Sequence, residues 1–357
     1  MGPKWVFRAK KDTAGNVVRY KAQLVAQGFS QVPGVDYFDM FAPVARLASI
    51  RAILAVTAVN DYEIHQIDIK GAYLNGVLTP SEVIYMRQPP GYVIYSSQGR
   101  VCRLKKTLYG LKQSGRRWYQ RLVEIMVKLL GFARCDMDQA MFFKMEGDKL
   151  IIVLVHVDDC TIVATSQPLI IKFKIEIAKH VGITDLGELH WILGIEVHRI
   201  REECIIFLSQ RSYLESILRR YGLKELKPVS LPMETNARLT SAQSPSTTEE
   251  FAHMQNVPYH KAVSSLMYAS LGTRPDITYA IQSISRFSKN PGVAHWDAVK
   301  RIFCYLKGTK DLWLSYGGKG KKLTGYADAD GNMAKDHHAI SGYAFILHGG
   351  AISWSAK

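Results

Sequence analysis

Val155-His156-Val157-Asp158-Asp159-Cys160 is the stretch from which this chain is best read. Apolar strand formers flank two adjacent carboxylates. Two acids in such a setting are costly to bury unless something cationic meets them. At a hairpin turn they can hold a divalent metal, whereas the plain alternative is a solvated turn, in which aspartate is common. Leu150 to Val157, the most apolar run of the chain, is about one strand long and leads into both acids, too short and too charged to span a bilayer.

A second element lies upstream, Ile67-Asp68-Ile69-Lys70-Gly71-Ala72-Tyr73. Asp68 falls at the end of an expected strand, Glu63 to Ile69. By itself it reads most readily as a helix cap. Taken together, the two elements suggest carboxylates converging from separate strands. That arrangement suits a pair of Mg²⁺ ions about 3.5–4 Å apart in an in-line phosphoryl displacement. Mg²⁺ favours few carboxylates plus substrate phosphates.

Periodicity supplies the frame around these acids. Trp5–Arg8 and Val17–Val25 read as a hairpin about a turn at Ala14-Gly15-Asn16. Ser49–Val59, Trp118–Leu130, Ile170–Lys179 and Ser212–Tyr221 read as helices. Met141–Lys144, Leu150–Val157 and Thr161–Ala164 read as strands. Trp191–Ile200 with Cys204–Leu208 suggests another hairpin. Residues 233–256 turn polar and lose apolar periodicity, so a linker is expected there. Helices at 259–271, 276–288 and 294–306 follow. A strand then begins near Leu323, with Tyr343–Leu347 and Ala351–Trp354 as two more. Successive blocks of strands and helices favour an α+β fold over a doubly wound sheet.

Composition narrows the function. With 47% hydrophobic and 22% charged residues, the chain has a globular profile. Cys102, Cys135, Cys160, Cys204 and Cys304 form no C-x-x-C pair, which argues against a zinc site or a disulfide framework and for a reducing compartment. No secretory signal is evident. The net charge of +15 points to a polyanionic partner, a merely basic protein being the alternative. The charge is clustered. Arg103, Lys105, Lys106, Lys112, Arg116 and Arg117 interleave with Tyr109, Trp118 and Tyr119, so phosphates could meet cations while bases stack. A second cluster is Lys300, Arg301, Lys307 and Lys310, near Trp296 and Tyr305.

Longer motifs, in order, resemble the reverse transcriptases of copia-type retrotransposons. Arg19-Tyr20-Lys21-Ala22-Gln23-Leu24-Val25-Ala26-Gln27-Gly28-Phe29-Ser30-Gln31 looks like their fingers segment. Gln66 to Gly76 resembles the first catalytic motif, and Leu108-Tyr109-Gly110-Leu111-Lys112-Gln113-Ser114-Gly115-Arg116-Arg117-Trp118-Tyr119 the next. Val157-Asp158-Asp159 matches the metal-binding hairpin. Leu193-Gly194-Ile195-Glu196 resembles the primer-gripping turn. Tyr305 to Thr309 and Gly325 to Asp330 are similar to the connection and the start of the ribonuclease H domain.

The resemblance implies a right-hand polymerase of fingers, palm and thumb over 1–232, a linker at 233–256, connection helices over 257–320, and the N-terminal part of a ribonuclease H-like domain over 321–357. It implies an RNA-directed DNA polymerase, a nucleotidyltransferase using two Mg²⁺, with Mn²⁺ as a substitute. Asp68 and Asp158 would be the main ligands, the Ile69 carbonyl would assist, and Asp159 would be the weaker third carboxylate. Tyr73 would lie under the incoming sugar, its alternative being a core aromatic. Gln113 would contact the nucleotide, its alternative being a solvated loop glutamine. Lys21 is a triphosphate candidate or an ordinary exposed lysine. Lys112, Arg116, Arg117 and Trp118 would meet nucleic acid. Asp328 matches the first ribonuclease H acid. Because the chain stops at Lys357, before the later acids, RNA cleavage is not expected.

Three departures stand out. Gln23 replaces an arginine of the fingers, and glutamine cannot hold phosphate bidentately. His156 replaces a tyrosine before Val-Asp-Asp. The N-terminus begins inside the first hairpin. The competing reading is a catalytically decayed, nucleic-acid-binding remnant. Partners implied by the resemblance are an RNA template, a DNA primer, deoxynucleoside triphosphates, capsid and integrase, with no membrane. The implied location is a cytoplasmic virus-like particle with a nuclear phase.

Overall fold

The computed structural model describes residues 1–11, 16–94, 99–223, 225–234, 237, 239–318, 322–330 and 340–357. Ala14 and Gly15 of the expected first turn lie outside them. The chain divides into two compact units, Met1–Arg46 with Glu63–Glu188, and Leu47–Tyr62 with Leu189–Lys357. The inserted segment of the second unit contains α1 (Leu47–Asn60).

In the first unit, β1 (Pro3–Lys11) and β2 (Val17–Ala26) form an antiparallel hairpin. Next come β3 (Glu63–Ile69), and the short β4 (Tyr85–Arg87) and β5 (Val101–Arg103), which pair with each other. Helix α2 (Ser114–Val123) continues into a π-helical turn, Glu124–Leu129. Then follow β6 (Ala133–Arg134), β7 (Met141–Glu146), β8 (Lys149–His156), β9 (Asp159–Ala164), α3 (Gln167–Ala178) and β10 (Ile183–Glu188). The main sheet has six strands in the order β10-β3-β9-β8-β7-β6. Its central strands read as unbroken apolar runs because they are covered on both faces: Val153, Leu154 and Val155 of β8 and Cys160 to Ala164 of β9 are all buried. Strand β3 instead has Ile64, Ile67 and Ile69 buried while Gln66 and Asp68 stay partly exposed.

Along α2 and its π-helical turn, Trp118, Leu122 and Ile125 recur at helical spacing and turn inward. They share one apolar cluster with Ile67, Ile69, Phe142 and Ile162 of the sheet and Phe173 and Ile177 of α3. This cluster fixes the strand ends where the candidate acids lie.

The second unit carries a four-stranded sheet of β11 (Trp191–Ile192), β12 (Ile195–Ile200), β13 (Ile205–Ser209) and β14 (Leu314–Tyr316). Its helices are α4 (Arg211–Arg220), α5 (Thr248–Gln255), α6 (Tyr259–Gly272), α7 (Thr278–Ser285) and α8 (Val293–Gly308). Apolar faces of α4, α6, α7 and α8 form a second core. Strands β15 (Thr324–Asp330), β16 (Ile340–Leu347) and β17 (Gly350–Ala356) make an antiparallel sheet. Arg51 of α1 is buried. It donates to the carbonyls of Leu271, Gly272 and Ile352 and lies 3.9 Å over the Trp354 ring, binding α1, the end of α6 and β17 together.

Two expectations change. The polar stretch 233–256 contains α5, whose start is a capping box. The Thr247 hydroxyl accepts from Glu250 N–H, and the Glu250 carboxylate accepts from Thr247 N–H. The expected helix 276–288 is a 3₁₀ turn at Pro275–Ile277 followed by α7, because proline starts the turn and supplies no N–H.

Candidate active site at the β8–β9 hairpin

Strands β8 and β9 close with His156 opposite Asp159, leaving Val157-Asp158 as a two-residue loop. Val157 has φ of 61°, a costly value for a β-branched residue. Two hydrogen bonds hold the loop. Trp118 Nε1 donates to the Val157 carbonyl at 2.7 Å, and Ile69 N–H donates to the Asp158 carbonyl at 2.8 Å. The buried α2 tryptophan and the end of β3 therefore fix the turn bearing Asp158.

Strand β3 pairs with β9 so that Asp68 stands directly opposite Asp159. Opposed residues of an antiparallel pair share a face, and like charges there repel. The Asp159 carboxyl is pushed above its usual range by burial, then by Asp158 and Asp68, against the opposing pull of His156 and a Gln66 hydrogen bond. The local field is thus net negative, and a cation is the ordinary remedy. Among the described residues, no group of three or more His, Cys, Asp or Glu forms a ready cage for a metal ion. The donor chemistry still fits Mg²⁺, which is bound by one or two carboxylates together with substrate phosphates rather than by an all-protein cage.

Beyond β3 the chain turns at Gly71, φ 60°, into a 3₁₀ turn, Ala72–Asn75, which carries Tyr73. The Tyr73 carbonyl accepts the Thr107 hydroxyl. The Tyr73 and Tyr109 rings are 5.0 Å apart. Burial and then Asp158 push both phenols up, with Tyr73 and Asp68 adding to the effect on Tyr109. Tyr109 is therefore part of this site, although the sequence assigned it no role of its own, placing it in a basic run and in the Leu108–Tyr119 motif. Its position is fixed by a close backbone approach. Ala26 N–H donates to Tyr109 O at 2.8 Å, and a Cβ on Gly110 would lie 2.1 Å from Ala26 O.

Several candidates occupy other surroundings than expected. Gln113 is fully buried, and its amide donates to Asp36 O at 3.0 Å and accepts from Gln31 Nε2 at 3.1 Å. It is not a solvated loop glutamine, because its polar ends are held by the Gln31–Asp36 segment. Trp118, only 2% exposed, is core rather than a base-stacking surface. Arg117 pairs with Glu82 at 2.7 Å, and Arg116 pairs with Asp39. Lys112 and Lys21 are exposed. The second basic cluster is engaged within its own unit. Lys300 pairs with Asp297, Arg301 with Glu234 and Lys310 with Glu215, while Lys307 donates to Leu226 O.

In the second unit, Ile192 pairs with Ile195, so Leu193-Gly194 forms a tight loop with φ of 50° and 76°, and Glu196 lies opposite Trp191. Tyr268 Oη donates to Leu193 O. Asp328 is exposed on β15.

Residues 1–235 match the family described as reverse transcriptase (RNA-dependent DNA polymerase), and the chain belongs to that family. It lies among copia-type transposons. The chain is 44% identical over 99% of its length to the retrovirus-related Pol polyprotein from transposon TNT 1-94 of Nicotiana tabacum, covering 27% of that protein. It is 37% identical over its whole length to the counterpart from transposon RE2 of Arabidopsis thaliana, covering 24%. The chain thus spans about a quarter of the length of these curated relatives. Among the described residues, no helix is long and apolar enough to cross a membrane.

Proposed function

We propose that this chain extends a DNA primer on an RNA or DNA template by nucleotidyl transfer. The observation that carries the reading is Asp68 opposite Asp159, with Asp158 on the clamped adjoining turn. In the reaction the primer 3′-oxygen bonds to the α-phosphorus of a deoxynucleoside triphosphate and pyrophosphate leaves. Two Mg²⁺, or Mn²⁺, held by Asp68 and Asp158 would activate the attacking oxygen and stabilise the leaving one. The Ile69 carbonyl would assist and Asp159 would be the weaker ligand. Tyr73 lies beneath the incoming sugar and Tyr109 backs its ring. Gln113 serves indirectly, by holding Gln31–Asp36. Lys21 and Lys112 are open to phosphate, whereas Arg116 and Arg117 must leave Asp39 and Glu82 to reach it.

In this reading residues 1–232 are fingers, palm and thumb, 233–256 connect, 257–320 are the helical connection, and 321–357 begin a ribonuclease H-like domain carrying Asp328. Leu193 to Glu196 grip the primer. The proposed activity is polymerisation. Capsid and integrase are its expected partners, in a cytoplasmic particle with a nuclear phase. Gln23 favours the competing reading, a nucleic-acid-binding remnant. Primer extension on an RNA template, with Mg²⁺ and separately Mn²⁺, decides between them. Extension by the parent and its loss in Asp158→Asn support polymerisation, whereas tight binding without any extension supports the remnant.

A further inference from the structure

The segment after β2 combines tight anchoring with outward apolar side chains. Val32 N–H donates to the Asp36 carboxylate at 2.8 Å, and buried Gln113 donates to Asp36 O at 3.0 Å. Asp39 accepts Phe41 N–H at 3.0 Å and pairs with Arg116. Downstream, Ala45 N–H donates to Val155 O at 2.9 Å. Yet Phe38 is 78% and Phe41 70% exposed. A slack loop would fold these rings inward, since burying a phenylalanine is strongly favourable. This one is held so that they face out.

Two observations identify what they face. The residues directly after Phe41, Ala42 to Val44, line one pocket with Tyr73 and Gly115, so the surface is continuous with the candidate site. The cations tied to the loop are Arg116, on Asp39, and Lys112, whose N–H donates to Gln31. Aromatic faces beside cations suit bases and phosphates together. Bases inside a duplex hide their faces. Beside a nucleotide pocket, the unpaired bases belong to the template strand.

We propose that Phe38 and Phe41 form a stacking surface for unpaired template bases approaching the site, with Lys112 meeting their phosphates. The proposal rests on the polymerase reading. It is tested by fluorescence anisotropy with two RNA–DNA duplexes, one carrying a single-stranded 5′ template overhang and one blunt. The parent should prefer the overhang. Phe38→Ser/Phe41→Ser should lose that preference by about five- to a hundredfold per stacked base, with blunt-duplex affinity and thermal melting unchanged. Phe38→Tyr/Phe41→Trp should retain it. A serine variant that keeps the preference overturns the proposal. So does an equal loss on both duplexes, or a parent dimer that the serine variant dissociates in sedimentation, which would make a second copy the occupant. An overhang preference that depends on the two rings in a parent that never extends a primer would refute polymerisation and leave the stacking surface standing.

Discussion

The carboxylate hairpin of the first unit and the Leu193-Gly194 hairpin of the second use one device for different ends. Each is a two-residue loop with a non-glycine residue at positive φ, Val157 at 61° and Leu193 at 50°. Each has its first carbonyl tied by a side-chain donor, Trp118 Nε1 in one and Tyr268 Oη in the other. They differ at the second residue. Gly194 continues at φ 76°, the type I′ pattern that matches sheet twist. The other hairpin has positive φ only at the first residue, the type II′ pattern, where glycine is preferred and valine stands. Its second residue is Asp158, in a field that already raises Asp159. The Leu193-Gly194 turn is built for shape. The carboxylate turn carries backbone strain and like charge together, and neighbouring elements hold it in place.

The largest contrast should come from the second loop residue. Asp158→Asn is expected to lower the extension rate about a thousandfold or more, since metal-borne stabilisation amounts to several kcal/mol. Duplex binding should be nearly unchanged. Gly194→Ala puts a Cβ 2.9 Å from Tyr268 Oη at a left-handed φ, costing about 1–2 kcal/mol of stability. It should weaken primer binding more than the chemical step. Single-turnover extension with parallel binding measurements separates the two, and a thousandfold rate loss at full affinity in Gly194→Ala would break the comparison. Next in size are the donors. Trp118→Phe trims a buried side chain and leaves the half-buried Val157 carbonyl without its indole partner, at a cost of about 1–3 kcal/mol. Tyr268→Phe acts at a partly exposed turn and should cost about 0.5–1.5 kcal/mol. Urea denaturation of both variants reads the difference, and equal losses would place the two turns under the same constraint.

Legibility in the sequence followed the same division. Strand β3 was expected at Glu63–Ile69 and lies there, and α1 was expected at Ser49–Val59 and spans Leu47–Asn60. Both are long and strongly patterned. The brief edges β4, β5 and β6 escaped, because short strands form only when a distant partner is present. The burial of Gln113 is illegible for a similar reason, its partners Gln31 and Asp36 being 82 and 77 residues away. Trp118 could have been read correctly. Its recurrence with Leu122 and Ile125 marks an inward helix face even within an arginine-rich run. The Thr247–Glu250 capping box was also visible within residues taken as linker.

Relieving the strain tests whether it belongs to function. Val157→Gly removes a left-handed cost of about 1–2 kcal/mol and adds a glycine entropy cost of about 0.5–1 kcal/mol. The net effect should be a gain of roughly 0.5–1 kcal/mol in denaturant melts. Leu193→Gly should gain no more, since leucine is not β-branched. Extension should not improve in Val157→Gly, because the loop bearing Asp158 becomes looser. A variant both more stable and faster would show the strain to be incidental.

The smallest effect concerns acid, and it separates the units through one histidine in each. His65 on β3 has Nδ1 2.9 Å from Lys174 Nζ, which pairs with Asp185 at 2.6 Å. Burial and then Lys174 depress its pKa below the ordinary 6.5, while Asp185, Glu188 and Glu63 oppose them. His295 in α8 is fully buried and stacked on Phe287 at 4.0 Å. Its Nδ1 accepts Gly292 N–H at 2.9 Å and its Nε2 lies 3.2 Å from Thr240 O, so the neutral ring with hydrogen on Nε2 satisfies both. Burial depresses its pKa as well, against the Thr240 carbonyl. For both, the unfolded chain binds the proton more readily. The stability each contributes is therefore fully present above the ordinary value and is lost as pH falls through the depressed one. A proton on His65 meets nearby acids and partial solvent. A proton on His295 Nδ1 meets a backbone donor in a closed core. Hydrogen exchange compared at about pH 7.5 and about pH 5 should therefore show α8 opening more than β3, after correction for intrinsic rates. His295→Phe should lower stability and flatten the acid response of α8 alone. Earlier opening of β3 would mean that the carboxylate-bearing unit, already under like-charge repulsion, is also the more acid-sensitive one.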